Sequence, residues 1–440
     1  MHTLRLRIAS DKVLIFSFFI SVILIGSFFL SIPGVFAAGK LRYIDALFTA
    51  TSAVCVTGLI TVDTPDFSLL GQSIIMILIQ VGGLGIITFS TIFLSSSRKR
   101  ISIVGRGVVG EYSISEVEYK PKAIIKAIIK YTFIFETIGF LFYILAFGGE
   151  GAGLFDALFH AVSAFCNAGF STFRNSFENY ITHPLVNLNT IFLIISGGLG
   201  FLVIKDIRKS LTGQRKHLSY HSTIVLKTTL SLLAAGTIAF FILESDHSLA
   251  GLNFFQRLLA SLFQATTPRT AGFDTIPQDS LSQGSQLLTV LLMFIGASPA
   301  STGGGIKTTT FYILLITAFR YRDSSDLVTY GKRKLPPRLI FKAVGVVVKA
   351  LLIVLAAAVF LIIMEAGSSL SLADAVFEIV SAFGTVGLSK GITAGLRDIS
   401  KVILILTMFT GRVGLFALAL PKTRRDVDGY AELPSADVLI

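Results

Sequence analysis

One short phrase occurs four times in this chain, and it limits what the chain can fold into. It reads Asp45-Ala-Leu-Phe-Thr-Ala-Thr-Ser-Ala-Val-Cys-Val-Thr-Gly58-Leu59, then Asp156-Ala-Leu-Phe-His-Ala-Val-Ser-Ala-Phe-Cys-Asn-Ala-Gly169-Phe170. The fourth copy is Asp374-Ala-Val-Phe-Glu-Ile-Val-Ser-Ala-Phe-Gly-Thr-Val-Gly387-Leu388, with Asp, Ala, Phe, Ser-Ala and Gly at the same offsets. The third, Ser261-Leu-Phe-Gln-Ala-Thr-Thr-Pro-Arg-Thr-Ala-Gly272-Phe273, lacks the Asp and is shorter by one residue between Phe and Gly. The glycines recur roughly every 110 residues, and self-similarity at a long period signals a repeat architecture.

From Asp45 to Val54 the phrase is long enough for roughly 15 Å of helix, about half the hydrocarbon thickness of a bilayer. A segment of that length enters a membrane and turns back. Asp suits its N-terminus, and the partial negative charge of the helix falls at the opposite end, just before the Gly. Glycine permits backbone conformations that a side chain forbids. Four such turns around one axis present carbonyls that replace the hydration shell of a cation, which is a selectivity filter.

Composition supports this setting. The chain has 440 residues, of which 53% are hydrophobic and 15% charged, as in a polytopic membrane protein. The net charge of +12 would suit nucleic acid if it were spread over a surface. Instead Lys and Arg cluster at Arg98–Arg100, Lys205–Lys216, Arg320–Arg338 and Lys422–Arg425, each just after a long apolar run. That positive-inside pattern puts the repeated phrases on the outer face and both termini in the cytoplasm. The N-terminal segment resembles a signal peptide, but its apolar run from Val13 to Ile32 is longer than a signal core. Each later phrase also follows an apolar helix, so this one is read as a retained crossing.

The predicted fold is an all-α polytopic membrane protein of four tandem repeats, each an outer helix, a re-entrant pore helix and an inner helix. Apolar runs near 13–32, 122–147, 221–244 and 338–365 precede the phrases, and runs near 71–94, 185–204, 284–319 and 398–420 follow them. This predicts eight crossings and four half-helices around a pseudo-tetrameric pore. The units span residues 1–97, 98–206, 207–322 and 323–425, followed by a short tail, 426–440. The run 284–319 is too long for one span and is interrupted by Gly296-Ala-Ser-Pro-Ala-Ser-Thr-Gly303-Gly304-Gly305-Ile306-Lys307. Non-helical backbone at membrane depth is tolerated only against protein or a water-filled cavity, so this segment is expected to cross the pore just inside the third turn. The competing arrangement, a cytoplasmic loop between two short helices, leaves each too short to span.

Gly82-Gly-Leu-Gly85 and Gly197-Gly-Leu-Gly200 follow two of the filter turns, where small residues allow close helix crossing. The fourth counterpart, Gly411-Arg412-Val-Gly414, carries a charge that needs the pore or a polar partner, and the 296–307 segment offers its carbonyls. Glu136 also lies within a crossing, where a polar helix contact and an ion site are both open. Lys126, Lys130, Lys342 and Lys349 are placed to snorkel to the inner surface. Cys55 and Cys166 are read as small buried side chains, and His160 as packing. Gly303-Gly-Gly-Ile-Lys-Thr308 lacks the strand and the Gly-Lys step of a phosphate loop. No nucleophile–His–acid set is evident.

With these motifs in place, nearly the whole chain resembles the Trk/Ktr/HKT superfamily of potassium transporters, specifically its Ktr-type membrane subunit. The likeness rests on the turns Val56-Thr57-Gly58, Asn167-Ala168-Gly169, Thr270-Ala271-Gly272 and Thr385-Val386-Gly387, on the Gly-rich break and on Arg412. The additional N-terminal helices usual in Trk-type members are missing, and Gly58 stands where sodium-admitting plant-like members often have Ser. The resemblance implies gated K+ uptake across the plasma membrane by a homodimer with one pore per protomer. It also implies a cytosolic ring of nucleotide-binding RCK-type regulatory subunits docked on the basic face. The gate would be the segment carrying Gly296, Ser298, Gly303, Gly304 and Gly305, held closed by Arg412 and Lys307. Na+ enters as a family-level activator, and no organic cofactor is expected. Only one Gly per turn recurs, which predicts weaker K+/Na+ discrimination than four identical Thr-Val-Gly-Tyr-Gly loops give. A weakly selective Na+/K+ channel, an ion-coupled secondary transporter and a membrane enzyme are the alternatives.

Overall fold

A computed structural model describes residues 3–104, 121–148, 153–214, 216–320, 328–330, 333–368 and 370–414. Four helix–short helix–helix units follow one another. The first is α1 (Thr3–Leu30), α2 (Tyr43–Cys55) and α3 (Leu69–Val104). The second is α4 (Pro121–Phe147), α5 (Leu154–Cys166) and α6 (Pro184–Leu199), continued by α7 (Phe201–Leu211). The third is α8 (Tyr220–Glu244), α9 (Phe254–Thr266), α10 (Gln283–Phe294) and α11 (Thr308–Arg320), and the fourth α12 (Pro337–Met364), α13 (Leu372–Gly384) and α14 (Asp398–Phe409). Strands occur among the described residues only as a small antiparallel ribbon, β1 (Thr329–Tyr330) with β2 (Arg333–Lys334). The tail from Asp426 and residues 105–120 lie outside the described residues.

The long helices α1, α3, α4, α8 and α12 are apolar enough to cross a membrane. They present large side chains outward, such as Leu145 and Leu230 at 70% exposure and Phe341 at 76%. In water such a belt would drive association; in lipid it is the natural surface. The four short helices are of thirteen residues each, roughly 20 Å, and cannot span. They sit inside the ring of long helices, and α2 buries its residues from Phe48 to Cys55 without a gap.

The N-termini of the short helices explain the recurring Asp. Asp156 Oδ2 accepts from Gly153 N at 2.7 Å, and Asp374 exchanges bonds with Ser371 in a capping box. The third copy has no Asp, and Asn253 with Gln256 forms the equivalent box. Asp45 closes the ring instead: its Oδ1 accepts from Lys401 Nζ on α14 at 2.8 Å, with both side chains buried, and its Oδ2 from Arg42. Removing one partner of a buried pair leaves an uncompensated charge that costs about 3 kcal/mol or more. Lys401→Met should therefore lower the unfolding temperature in detergent sharply; an unchanged value would mean that units one and four are joined by other contacts.

Two inner helices depart from simple spans. The break in the third, residues 295–307 between α10 and α11, is where the sequence places it. The second differs from expectation: the run near 185–204 is not one straight crossing, because α6 and α7 meet at 100°. Gly200 stands at the corner with φ +88°, and a Cβ there would collide with the Pro299 carbonyl. The basic cluster that starts at Lys205 accordingly begins inside α7.

Candidate ion pathway

The four repeated glycines form a closed ring. A Cβ on Gly58 would meet Ala168 O and Gly169 Cα, and one on Gly169 would meet Ala271 O and Gly272 Cα. Gly272 stands in the same way against Val386 O and Gly387 Cα, and Gly387 against Thr57 O and Gly58 Cα. The nearest approach is under 3.0 Å at all four positions, so no side chain fits. The backbone has one shape in each turn. Val56, Asn167, Thr270 and Thr385 have φ of 54°, 61°, 72° and 48°, and the glycines two residues later lie between 70° and 97°. The intervening residues have negative φ. This alternation of hand turns successive carbonyls toward one side, whereas a regular strand alternates them.

The Ser-Ala element of the phrase anchors this shape, a role the sequence alone did not disclose. The carbonyls of Ser52, Ser163, Thr267 and Ser381 accept from the backbone N–H of Thr57, Ala168, Ala271 and Val386 at 2.8–3.0 Å. Their hydroxyls finish the clamp: Ser52 and Ser381 accept from Gly58 N and Gly387 N, while Ser163 and Thr267 donate to Phe170 O and Phe273 O. The third copy reaches this geometry with one residue fewer because α9 ends at Thr266 and a tight turn carries the chain from Thr267 to Gly272.

A cavity of about 280 Å³ opens onto the ring and is lined by all four glycines together with Asp63, Glu178 and Asp274. Arg174, its single Arg, is bound by Asp63 and Asp66 at 2.7 and 2.6 Å. Burial and the neighbouring Glu178 hold the Asp274 carboxyl well above the ordinary carboxylate range. Three carboxylic side chains and one Arg line the mouth, and the raised Asp274 favours its protonated form, which adds a polar group and no fixed charge.

The 296–307 segment lies against the other end of the ring, and all of it from Gly296 to Ile306 except Pro299 is buried. Gly303 packs against Thr270 and Gly304 against Thr385, the residues two before the ring glycines Gly272 and Gly387. Gly296 meets Gly304, and Ala297 N donates to Gly304 O, which pinches the loop shut. The bent second inner helix grips it as well: Ser298 N and Thr302 N donate to Gly198 O and Gly197 O, and Phe201 N donates to Ala300 O. The Gly197–Gly200 motif therefore does more than ease helix crossing. Its broken turn supplies the free backbone groups that hold the loop.

Arg412 finds the partners expected of it. Its NH1 donates to Thr302 O in the loop and its NH2 to Gly82 O on α3 at 3.3 Å. Lys307 Nζ donates to Gly303 O at 2.7 Å and Gly304 O at 3.4 Å. Glu136 is in a polar helix contact, accepting from Gln80 Nε2 at 3.2 Å, and Gln80 Oε1 accepts from the Cys166 thiol. Because Glu136 lines neither the ring nor its mouth, Glu136→Gln should leave uptake unchanged in a radiotracer assay; lost uptake would make it a coupling residue. Both cysteines are free and buried. His160 is packed among Tyr143, Phe147, Phe173 and Phe177, with Nε2 bound to Ser171 Oγ at 2.8 Å.

Known proteins resemble this chain over nearly its whole length. The family model described as TrkH, cation transport protein, matches residues 2–425. The chain is 39% identical to Ktr system potassium uptake protein B of Bacillus subtilis, covering 97% of this chain and 96% of that protein. It is 36% identical to the potassium/sodium uptake protein NtpJ of Enterococcus hirae, covering 99% and 98%. The crystal structure of the potassium transporter TrkH from Vibrio parahaemolyticus superposes with a TM-score of 0.70 at 20% identity, over 90% of this chain and 83% of that one, which shows a shared fold. The chain belongs to the TrkH cation transport family, as a membrane subunit of the Ktr type.

Proposed function

We propose that this protein is the K+-translocating subunit of a Ktr-like uptake system. The observation that carries the reading is the closed ring of Gly58, Gly169, Gly272 and Gly387 at the foot of a cavity lined by three carboxylic side chains and one Arg. Dehydrated K+ is held by backbone carbonyls of residues 56–58, 167–169, 270–272 and 385–387, as carbonyl rings hold cations elsewhere. The 296–307 loop, with Lys307 and Arg412, is the gate beneath it. The basic clusters favour a cytoplasmic location for both termini in the plasma membrane and leave the phrases outside.

Transport is passive. The membrane potential supplies about 2.3 kcal/mol per charge per 100 mV, enough for roughly fifty-fold accumulation at 1.36 kcal/mol per decade. The reading needs no catalysis and no organic cofactor. It includes a homodimer and a cytosolic nucleotide-binding ring on the basic face, in keeping with relatives named as parts of a Ktr system. The likeness to a protein named for potassium and sodium uptake favours a second reading, a weakly selective or Na+-activated pathway. Expression in a strain lacking its own K+ uptake systems tests the first: growth on low K+ should be restored, and more strongly with a regulatory partner. Failure of a membrane-inserted protein to restore growth in either case would refute it. Reversal potentials in mixed K+ and Na+ separate the second.

A further inference from the structure

Arg269 is a buried guanidinium that the pathway does not use. It follows α9 by three residues, immediately before Thr270 of the third filter turn, and is only 7% exposed. Its contacts are poor: NH1 lies 3.5 Å from Thr229 O, NH2 lies 3.4 Å from Thr229 Oγ1, and Nε has no partner. These separations exceed the usual 2.7–3.2 Å of an N–H···O bond. Among the described residues no carboxylate comes within ion-pair distance of it, although an unpaired charge at membrane depth is costly.

The same guanidinium lines a small cavity between α6, α8 and the end of α9. Gly198, Leu199, Thr229, Leu233, Thr266 and Ala297 are among its other walls. It exists because the chain turns away by 100° after Leu199, so no straight continuation of α6 covers this side of α8. Its volume of about 10 Å³ holds roughly one water-sized group. The lining offers guanidinium donors and the hydroxyls of Thr229 and Thr266, the latter donating to Leu262 O, against aliphatic walls, and carries no carboxylate, which suits an anion and not a cation.

We propose that Arg269 and Thr229 form an anion-binding site in this notch, taking a halide or one oxygen of a phosphate. The anion comes either from solution or from the headgroup of an anionic lipid entering beside α8. Its position gives it consequences. Arg269 adjoins a filter residue, and Ala297 belongs to the loop, so an anion here neutralises a fixed positive charge beside the pathway and touches the gate.

The test uses the full-length protein with Arg269→Gln and Arg269→Lys. Native mass spectrometry with added phosphatidylglycerol reads lipid retention, and crystals grown in bromide read halide by anomalous scattering. A lipid retained by the wild type and the Lys variant but lost from the Gln variant supports the site with a headgroup as its source. A bromide peak beside Arg269 in the wild type supports it with a free anion, and this arm does not depend on how the variants fold. In liposomes the occupying anion should change wild-type K+ flux several-fold relative to neutral lipid in gluconate, and leave the Gln variant unaffected. Equal lipid retention by all three proteins, together with no bromide peak, would mean that the notch holds water alone and would overturn the proposal.

Discussion

Replacing Gly387 by alanine is expected to abolish K+ uptake while leaving the protein in the membrane. The residue has φ +97°, outside the range an L-side chain readily adopts, and a Cβ there would strike the Thr57 carbonyl and Gly58 Cα. Relief requires one turn to move away from the other, and the moving atoms are the carbonyls of the ring. A loss of about 3 kcal/mol in cation stabilisation lowers flux roughly a hundred-fold at 1.36 kcal/mol per decade. Because Gly58, Gly169 and Gly272 face their neighbours in the same manner, alanine at each should act alike. The measurement is rubidium flux into liposomes at matched protein content. Near-normal flux in any of the four would mean that the ring is not the narrow part of the pathway.

Deleting residues 298–305 should have the opposite effect and raise basal flux without a regulatory partner. This segment fills the space under Thr270 and Thr385, and its backbone is tied to Gly197, Gly198 and Phe201. Arg412→Ala should act in the same direction by releasing Thr302 and Gly82. A hydrogen bond to a charged group is worth about 1.5–3 kcal/mol, so losing the tie to Thr302 shifts a closed–open equilibrium roughly ten- to a hundred-fold. Wild-type flux in the deletion would refute a blocking loop, and reduced flux in Arg412→Ala would count against its holding role.

The ring could be read from the sequence because the phrase is repeated. Four copies of one Gly, three at one offset and that of the third copy one residue nearer, each behind a short and largely apolar helix, leave few arrangements that bury them. Arg412 was legible for a related reason, since a lone charge in an apolar helix demands a partner and the Gly-rich break was the nearest source of carbonyls. The bend at Gly200 was not legible. Gly197-Gly-Leu-Gly200 has the same composition as Gly82-Gly-Leu-Gly85, which stays helical within α3. What separates them is Pro299 and Ala300 of the third unit pressing on Gly200, a long-range contact that no local pattern records. Ser52, Ser163 and Ser381 share one offset from their glycines and Thr267 stands one residue nearer to Gly272, which shows a position but not a clamping role, because a small hydroxyl side chain is equally at home in a tight helix crossing.

The central claim is that carbonyls from four quasi-equivalent turns gather on one axis to take a bare alkali cation. Crystals grown with rubidium or thallium in place of potassium test it most directly, through anomalous scattering. Peaks on the axis encircled by Gly58, Gly169, Gly272 and Gly387 are the predicted result. An empty axis, with the heavy cation bound only elsewhere in the molecule, would contradict it.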